Sequence, residues 1–145
     1  MAALLALQLE HRHAALAHLA QGFTPEEAQR PLYDGGPCAS WIFDHLSEMS
    51  ATTLAALGGP LLEASVGEGW PQAHQGFAHI AAQLLRVARE LAPDAWQSAP
   101  AIEVLPDFRE SLRTRQDFLM GHIFHLAWHA GQLGSLRNKL RVSNH

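Results

Sequence analysis

Four segments of the chain carry apolar residues at the spacing of an α-helix. In the first, roughly residues 3–20, leucine and alanine recur every three or four positions without Gly or Pro between them. The other three cover residues 38–57, 71–91 and 114–140. The stripe residues are Leu5, Leu9, Leu16 and Leu19; Ile42, Leu46, Met49, Thr53 and Ala56; Phe77, Ile80, Leu84, Val87 and Leu91; and Leu119, Leu126, Leu133, Leu136 and Leu140. Because each stripe must be buried against another element, the pattern predicts an all-α four-helix bundle of up-down type with long connections.

Capping and turn residues mark the ends of these helices. Residues 24–27 read Thr-Pro-Glu-Glu, in which threonine can cap free amides and proline and acidic residues suit a first turn. They predict a short extra helix near residues 25–30. Thr114, with Asp117 three residues later, resembles a capping box at the start of the last helix. Three prolines between residues 93 and 113 predict a long connection before it.

The size and the single cysteine describe one domain in a reducing compartment. A chain of 145 residues that is 48% hydrophobic can bury a core of its own, so we expect a single domain over residues 1–145. Cys38 has no second cysteine to pair with, which excludes an internal disulfide. The apolar run at residues 1–7 has no basic segment before it and is followed by Gln8 and Glu10, so it predicts a helix rather than a signal peptide. We therefore expect a cytoplasmic protein.

The charge balance limits the kinds of partner. Ten basic and fourteen acidic residues do not give the positive field expected of a duplex-binding domain. No run approaches the roughly 18 apolar residues of a membrane span. We expect neither nucleic acid nor a membrane as partner, but a small-molecule substrate. A homodimer is also expected, since helical bundles often bury additional apolar surface between subunits.

The candidate functional residues are mainly histidines, of which the chain has ten. His125 and His129 are four residues apart, so their rings share one helix face and can bind one ion with bonds of about 2.0 to 2.1 Å. His129 also continues the leucine stripe between Leu126 and Leu133, which places its ring in the interior, where a polar group needs a partner. The alternative interpretation is coincidence, with both rings making ordinary hydrogen bonds.

A third ligand is expected from the second helix. His45 lies on the apolar side of that helix, where leucine would be the usual choice. Its alternative is an ordinary core histidine with a hydrogen-bond partner. His122 is seven residues, or about 10 Å, before His129, so we expect it to line the site rather than bind the ion. Four further histidines are expected at the surface or its boundary: His11, His18, His74 and His79.

These residues resemble a known family. His45 in the sequence Ser40-Trp41-Ile42-Phe43-Asp44-His45-Leu46, together with His125-Leu126-Ala127-Trp128-His129-Ala130-Gly131-Gln132, is similar to the DinB-like superfamily. Gly131 and Gln132 match the family pattern, whereas Ala130 replaces an arginine common in it. The resemblance implies a four-helix bundle that binds metal through one histidine of the second helix and a pair on the last. It also implies kinship with bacillithiol-dependent thiol S-transferases and a mycothiol-dependent isomerase, but no DNA polymerase or repair chemistry.

The predicted function follows from a site of three neutral imidazoles, which leaves coordination positions open on a divalent ion. Zinc and nickel both suit imidazole, and the sequence does not separate them. We expect an ion on His45, His125 and His129 that activates a low-molecular-weight thiol for transfer to an electrophile. The sequence assigns no base among the neighbouring Asp44, Glu48, Gln132 and His122. Two alternatives stay open, namely a hydrolase that uses metal-bound water and a non-catalytic bundle in which the metal is structural or sensory.

Overall fold

The computed structural model describes residues 1–143, and within that range every regular element is helical. The four long helices are α1 (Ala2–Ala20), α2 (Ala39–Ala56), α3 (Gln72–Glu90) and α4 (Arg115–Ser143). Short 3-10 helices occur at Glu27–Gln29, Pro93–Gln97 and Pro106–Phe108. The predicted all-α four-helix bundle is therefore confirmed. No helix between residues 1 and 143 combines the length and the apolar character needed to cross a membrane.

Both predicted capping signatures form. At the start of α4, the Asp117 carboxylate accepts a hydrogen bond from the Thr114 N–H, and the Asp117 N–H donates to the Thr114 hydroxyl, each over 3.1 Å. Thr24 and Glu27 exchange the same pair of bonds over 3.0 and 3.1 Å. The chain turns to extended backbone at Arg30, so this second signature opens only the 3-10 helix Glu27–Gln29. That element is the predicted short extra helix.

Contacts between the helices define how they are arranged. Helices α1 and α2 each pack on both α3 and α4, so α1 and α2 occupy one diagonal of the bundle. The backbone carbonyl of Leu57, at the end of α2, accepts a hydrogen bond from Arg115 at the start of α4, which makes these two helices antiparallel. Glu10 of α1 pairs with Arg89 of α3, and Phe23, which follows α1, packs on Trp70, which precedes α3, so this pair is antiparallel as well.

Gly22, at the end of α1, meets Arg137 near the end of α4, and these two helices run in the same direction. Direction therefore reverses between α1 and α2 and between α3 and α4, but not between α2 and α3, so the alternation predicted for an up-down bundle holds at two of the three connections. The crossover of residues 57–71 is long enough to return along the bundle, and it lets α2 and α3 run in the same direction. The connections of residues 21–38 and 91–114 join helices that lie diagonally opposite, α1 to α2 and α3 to α4.

The core holds the site-bearing helices in fixed rotation. Leu126 and Leu133 of α4 are fully buried one turn before and one turn after His129. Ile42 and Leu46 of α2 are equally buried beside His45. Because these leucine and isoleucine side chains can be buried only on the inner faces, they turn the histidines on both helices towards the same space.

Candidate metal centre

Helices α2 and α4 bring His45, His125 and His129 together, and we call these three residues the three-histidine cluster. The Nε2 atom of His125 lies 3.2 Å from Nε2 of His45 and 2.9 Å from Nε2 of His129. One ligand atom from each of the three side chains lies within 4.8 Å of the others, so the group can hold a metal ion. The prediction that rings from two helices converge is confirmed.

These separations fit a shared ion. Two nitrogens bound tetrahedrally at 2.0 to 2.1 Å are about 3.3 Å apart, close to the separations between the Nε2 atoms here. Ordinary hydrogen bonding does not explain all three rings equally well. Nε2 of His125 faces two other Nε2 atoms, and a single N–H or lone pair makes one good hydrogen bond, not two.

Gln132 fixes the tautomer of His129. Its side-chain oxygen accepts a hydrogen bond from Nδ1 of His129 over 2.6 Å, so Nδ1 carries the proton of the neutral ring. Nε2 of His129 is then left with its lone pair directed into the cluster. This is how outer partners usually orient a metal-binding imidazole. Among the neighbours considered from the sequence, Gln132 therefore contacts a candidate ligand.

Burial and the neighbouring rings favour the neutral forms of His125 and His129. Burial first, and then the imidazoles of His129 and His45, lower the pKa of His125 to about 4. Burial also lowers the pKa of His129, which is only 6% exposed, although its hydrogen bond to Gln132 acts in the opposite direction. Unprotonated rings offer lone pairs to a cation without competition from protons. The group found within residues 1–143 contains no carboxylate, so an ion there would keep its full positive charge.

Trp41 supports the third ring and forms part of an opening. Its indole stacks on His45 with ring centroids 5.0 Å apart and planes only 9° from parallel. Trp41 is 52% exposed and, with His129 and Gln132, lines a cavity of about 590 Å³. We call this the polar-side cavity because the polar side chains of His129 and Gln132 line it. Cys38 at the start of α2 also lies on its wall. A small molecule can reach the cluster through it.

The other candidates lie outside the cluster. His122 is buried, with Nε2 3.4 Å from the hydroxyl of Ser50, in agreement with a lining position rather than a ligand position. The carboxylate of Asp44 accepts a hydrogen bond from the N–H of Gly67 and so fastens the 57–71 crossover. Glu48 is exposed. The expected surface or boundary histidines are exposed or half-buried: His11, His18, His74 and His79.

The sequence reasoning missed two residues. His13 of α1 is half-buried, meets the edge of Phe77 and has an Nε2 atom with no hydrogen-bond partner in the described chain. Burial lowers its pKa to about 4. The signal was present, because His13 lies four residues after Leu9 and three before Leu16 on the buried stripe. The contact of Trp41 with His45 was also predictable, because residues four apart on a helix lie on the same face.

The chain matches no protein-family model, and no curated protein sequence matches it. The donors of the cluster, its burial and its access to small molecules therefore indicate what it can do.

Proposed function

We propose that this chain is a metal-dependent enzyme of DinB-like type that activates a small thiol. His45, His125 and His129 would hold one divalent ion, zinc or nickel, since both accept imidazole ligands. The observation that carries the proposal is the convergence of three Nε2 atoms from α2 and α4 in a carboxylate-free group. The motif that resembles the DinB-like superfamily contains the same three histidines.

The reaction proposed is transfer of the thiol to an electrophilic carbon. When bound, a divalent ion of this kind lowers the pKa of a coordinated thiol, so the nucleophilic thiolate forms at neutral pH. The sulfur then forms a bond to the electrophilic carbon. The leaving group departs with the electron pair of the bond that breaks, and the thiol proton passes to solvent.

The residues of the chain prepare this chemistry. Gln132 holds His129 in the tautomer that directs a lone pair inward, and Trp41 holds the ring of His45 from its exposed face. Three protein ligands leave at least one coordination position for a substrate. The polar-side cavity gives that position an entrance from solvent.

Metal content tests the first half of the proposal. Protein purified without an affinity tag or chelator should contain one divalent ion per chain by elemental analysis, and the double variant His125→Ala/His129→Ala should contain none. The matched control is His18→Ala/His79→Ala, which removes two exposed histidines and should keep the ion. Equal metal content in the two double variants would refute the site.

Turnover tests the second half. The metal-loaded protein should conjugate cysteine, bacillithiol or mycothiol to monochlorobimane, an uncharged acceptor that becomes fluorescent as chloride leaves. We expect the rate to disappear with the ion in the His125→Ala/His129→Ala variant. Metal-loaded protein that conjugates none of these thiols refutes thiol transfer. Ester hydrolysis without thiol would instead identify water as the nucleophile, the alternative left open by the sequence.

A further inference from the structure

A second cavity, of about 420 Å³, lies on the other side of the three-histidine cluster. We call it the apolar cavity. Met49 of α2 and Phe118 of α4 form two of its walls, and Ile102 and Phe108 of the connection before α4 form a third. His125 lies in its lining, whereas His129 lies in the lining of the polar-side cavity. The cluster therefore separates the two cavities.

The walls of the apolar cavity offer few groups to a charged ligand. The hydroxyls of Thr52 and Thr53 donate to backbone carbonyls one turn earlier in α2, over 3.1 and 2.8 Å, and so are already used. Glu103 is charged, but its side chain is almost fully exposed and lies 4.0 Å from Arg109. Transfer of a charge into such an apolar space is costly, whereas an apolar group gains from leaving water.

The polar end of the apolar cavity coincides with the candidate centre. Among the lining residues, His122 and His125 supply the imidazole edges, and the ring of His122 is buried against Ser50. Nε2 of His125 is 2.9 Å from Nε2 of His129. A molecule in the apolar cavity would thus have one end next to the group that faces the other cavity.

We infer that the apolar cavity binds the uncharged, apolar body of the second substrate, the electrophile, while the thiol enters through the polar-side cavity. This inference rests on the proposed function for the pairing of the two substrates. Binding in the apolar cavity does not require the metal. Experiments on metal-free protein therefore test this inference separately from the proposed function. The substrate class is a small uncharged molecule with an aromatic or aliphatic body and one electrophilic carbon.

Gly121 provides the test, because it lines the apolar cavity in the second turn of α4. A β-carbon added there would lie 3.7 Å from Leu112, an ordinary contact, so the backbone tolerates a side chain. Gly121→Leu should fill part of the cavity and favour the helix. Gly134→Leu is the matched control, since Gly134 lies on the same helix, lines neither cavity, and has open space at its β-carbon position.

The first measurement is binding of N-phenylnaphthylamine, followed by its fluorescence, to metal-free protein. Gly121→Leu should bind this probe at least tenfold more weakly than the wild type, and Gly134→Leu should bind it equally well. The anionic analogue anilinonaphthalenesulfonate should bind the wild type at least tenfold more weakly than the uncharged probe. Undiminished binding to Gly121→Leu, or equal binding of the anion, would overturn the inference.

A second variant covers failure of Gly121→Leu to fold. Leu105 lines the apolar cavity and is 68% exposed, so Leu105→Glu adds a charge there without removing a core residue. It should also weaken probe binding at least tenfold. Wild-type affinity for the probe in a folded Leu105→Glu protein would count against the apolar ligand.

Kinetics and metal content distinguish the two proposals. In metal-loaded Gly121→Leu, the KM for monochlorobimane should rise at least tenfold while the KM for the thiol and the metal content stay at wild-type values. A parallel rise in both KM values would refute the separation of the two substrates. Probe binding that responds to Gly121→Leu in a protein that never binds metal would support the apolar cavity and refute the metal proposal alone.

Discussion

Helix α4 contributes histidines to two groups that differ in their surroundings. The three-histidine cluster joins α2 and α4 beside two cavities, and its donor atoms converge. One turn away, His122 and His13 form an interior pair, in which His13 helps to lower the pKa of His122. Nε2 of His122 faces the hydroxyl of Ser50, and Nε2 of His13 has no partner in the described chain. The comparison teaches that burial alone does not make a candidate metal centre; convergence of three donors and access from solvent are also required.

The largest expected effect comes from removing one of the proposed metal ligands, in comparison with removing a histidine of the interior pair. His129→Ala should lower metal affinity by more than about 100-fold, because removal of a ligand exceeds the 10- to 100-fold effects typical of outer partners. His122→Ala should change metal affinity little and instead lower the free energy of unfolding of metal-free protein. Metal titration and urea unfolding of both variants measure the contrast. Similar metal loss in the two variants would show that the interior pair belongs to the centre.

The next effect is the loss of folding stability at acidic pH that arises from His122 of the interior pair. Burial, then His13, then His125 lower the pKa of His122 from 6.5 to about 3, so the unfolded chain takes up a proton there before the folded chain does. Stability from this neutral ring is therefore full above pH 6.5 and falls as the pH drops towards 3. The loss is about 2 kcal/mol between pH 7 and pH 5.

Urea unfolding of metal-free protein at a series of pH values measures this slope. The variant His122→Phe cannot titrate at that position, so its free energy of unfolding should fall less steeply as the pH drops. Below pH 6.5 the slopes of the wild type and the variant should differ by about 1.4 kcal/mol per pH unit. A variant that keeps the wild-type slope would mean that the ring of His122 is reached by water in the folded protein.

A smaller effect tests how the candidate metal centre is oriented by its neighbours. Gln132→Ala removes the acceptor that fixes the tautomer of His129, and we expect metal affinity to fall by roughly 10- to 100-fold. Gln116→Ala is the matched control on the same helix, since Gln116 bonds to Gln97 far from the cluster. Isothermal titration of each variant with zinc measures the difference, and equal affinities would contradict the orienting role.

The smallest expected effect concerns Trp41. Trp41→Ala removes the stacked ring from His45, and an aromatic pair of this kind is worth about 0.5 to 1.5 kcal/mol. Metal affinity should therefore fall by about twofold to tenfold, and Trp41→Phe should restore most of it. If the phenylalanine variant is as weak as the alanine variant, support of the ring by stacking is excluded.

The helices were predictable because their signals are local. Stripes of leucine and isoleucine, a capping box at Thr114 and glycine–proline pairs are read from neighbouring residues, and they define all four helices to within a few positions. The diagonal placement of α1 and α2 was not predictable, because it depends on the path of long connections rather than on helix period.

The candidate site was predictable to the same extent. His129 was placed in the interior by the leucine stripe, and His45 by its position on the apolar side of α2. The apolar cavity was missed because the irregular segment around Ile102 and Phe108 forms one of its walls, and an irregular path leaves no periodic signal. The homodimer, the cytoplasmic location and the choice between zinc and nickel stay predictions.

The three-histidine cluster joins parts of the chain that are 80 residues apart, since His45 meets His125. A cation held there would act as a removable cross-link between the first and last thirds of the molecule, present only when the chain is folded. Its contribution to stability would grow with the logarithm of the free cation concentration. The fraction of folded protein in a cell would then depend on the concentration of that free cation.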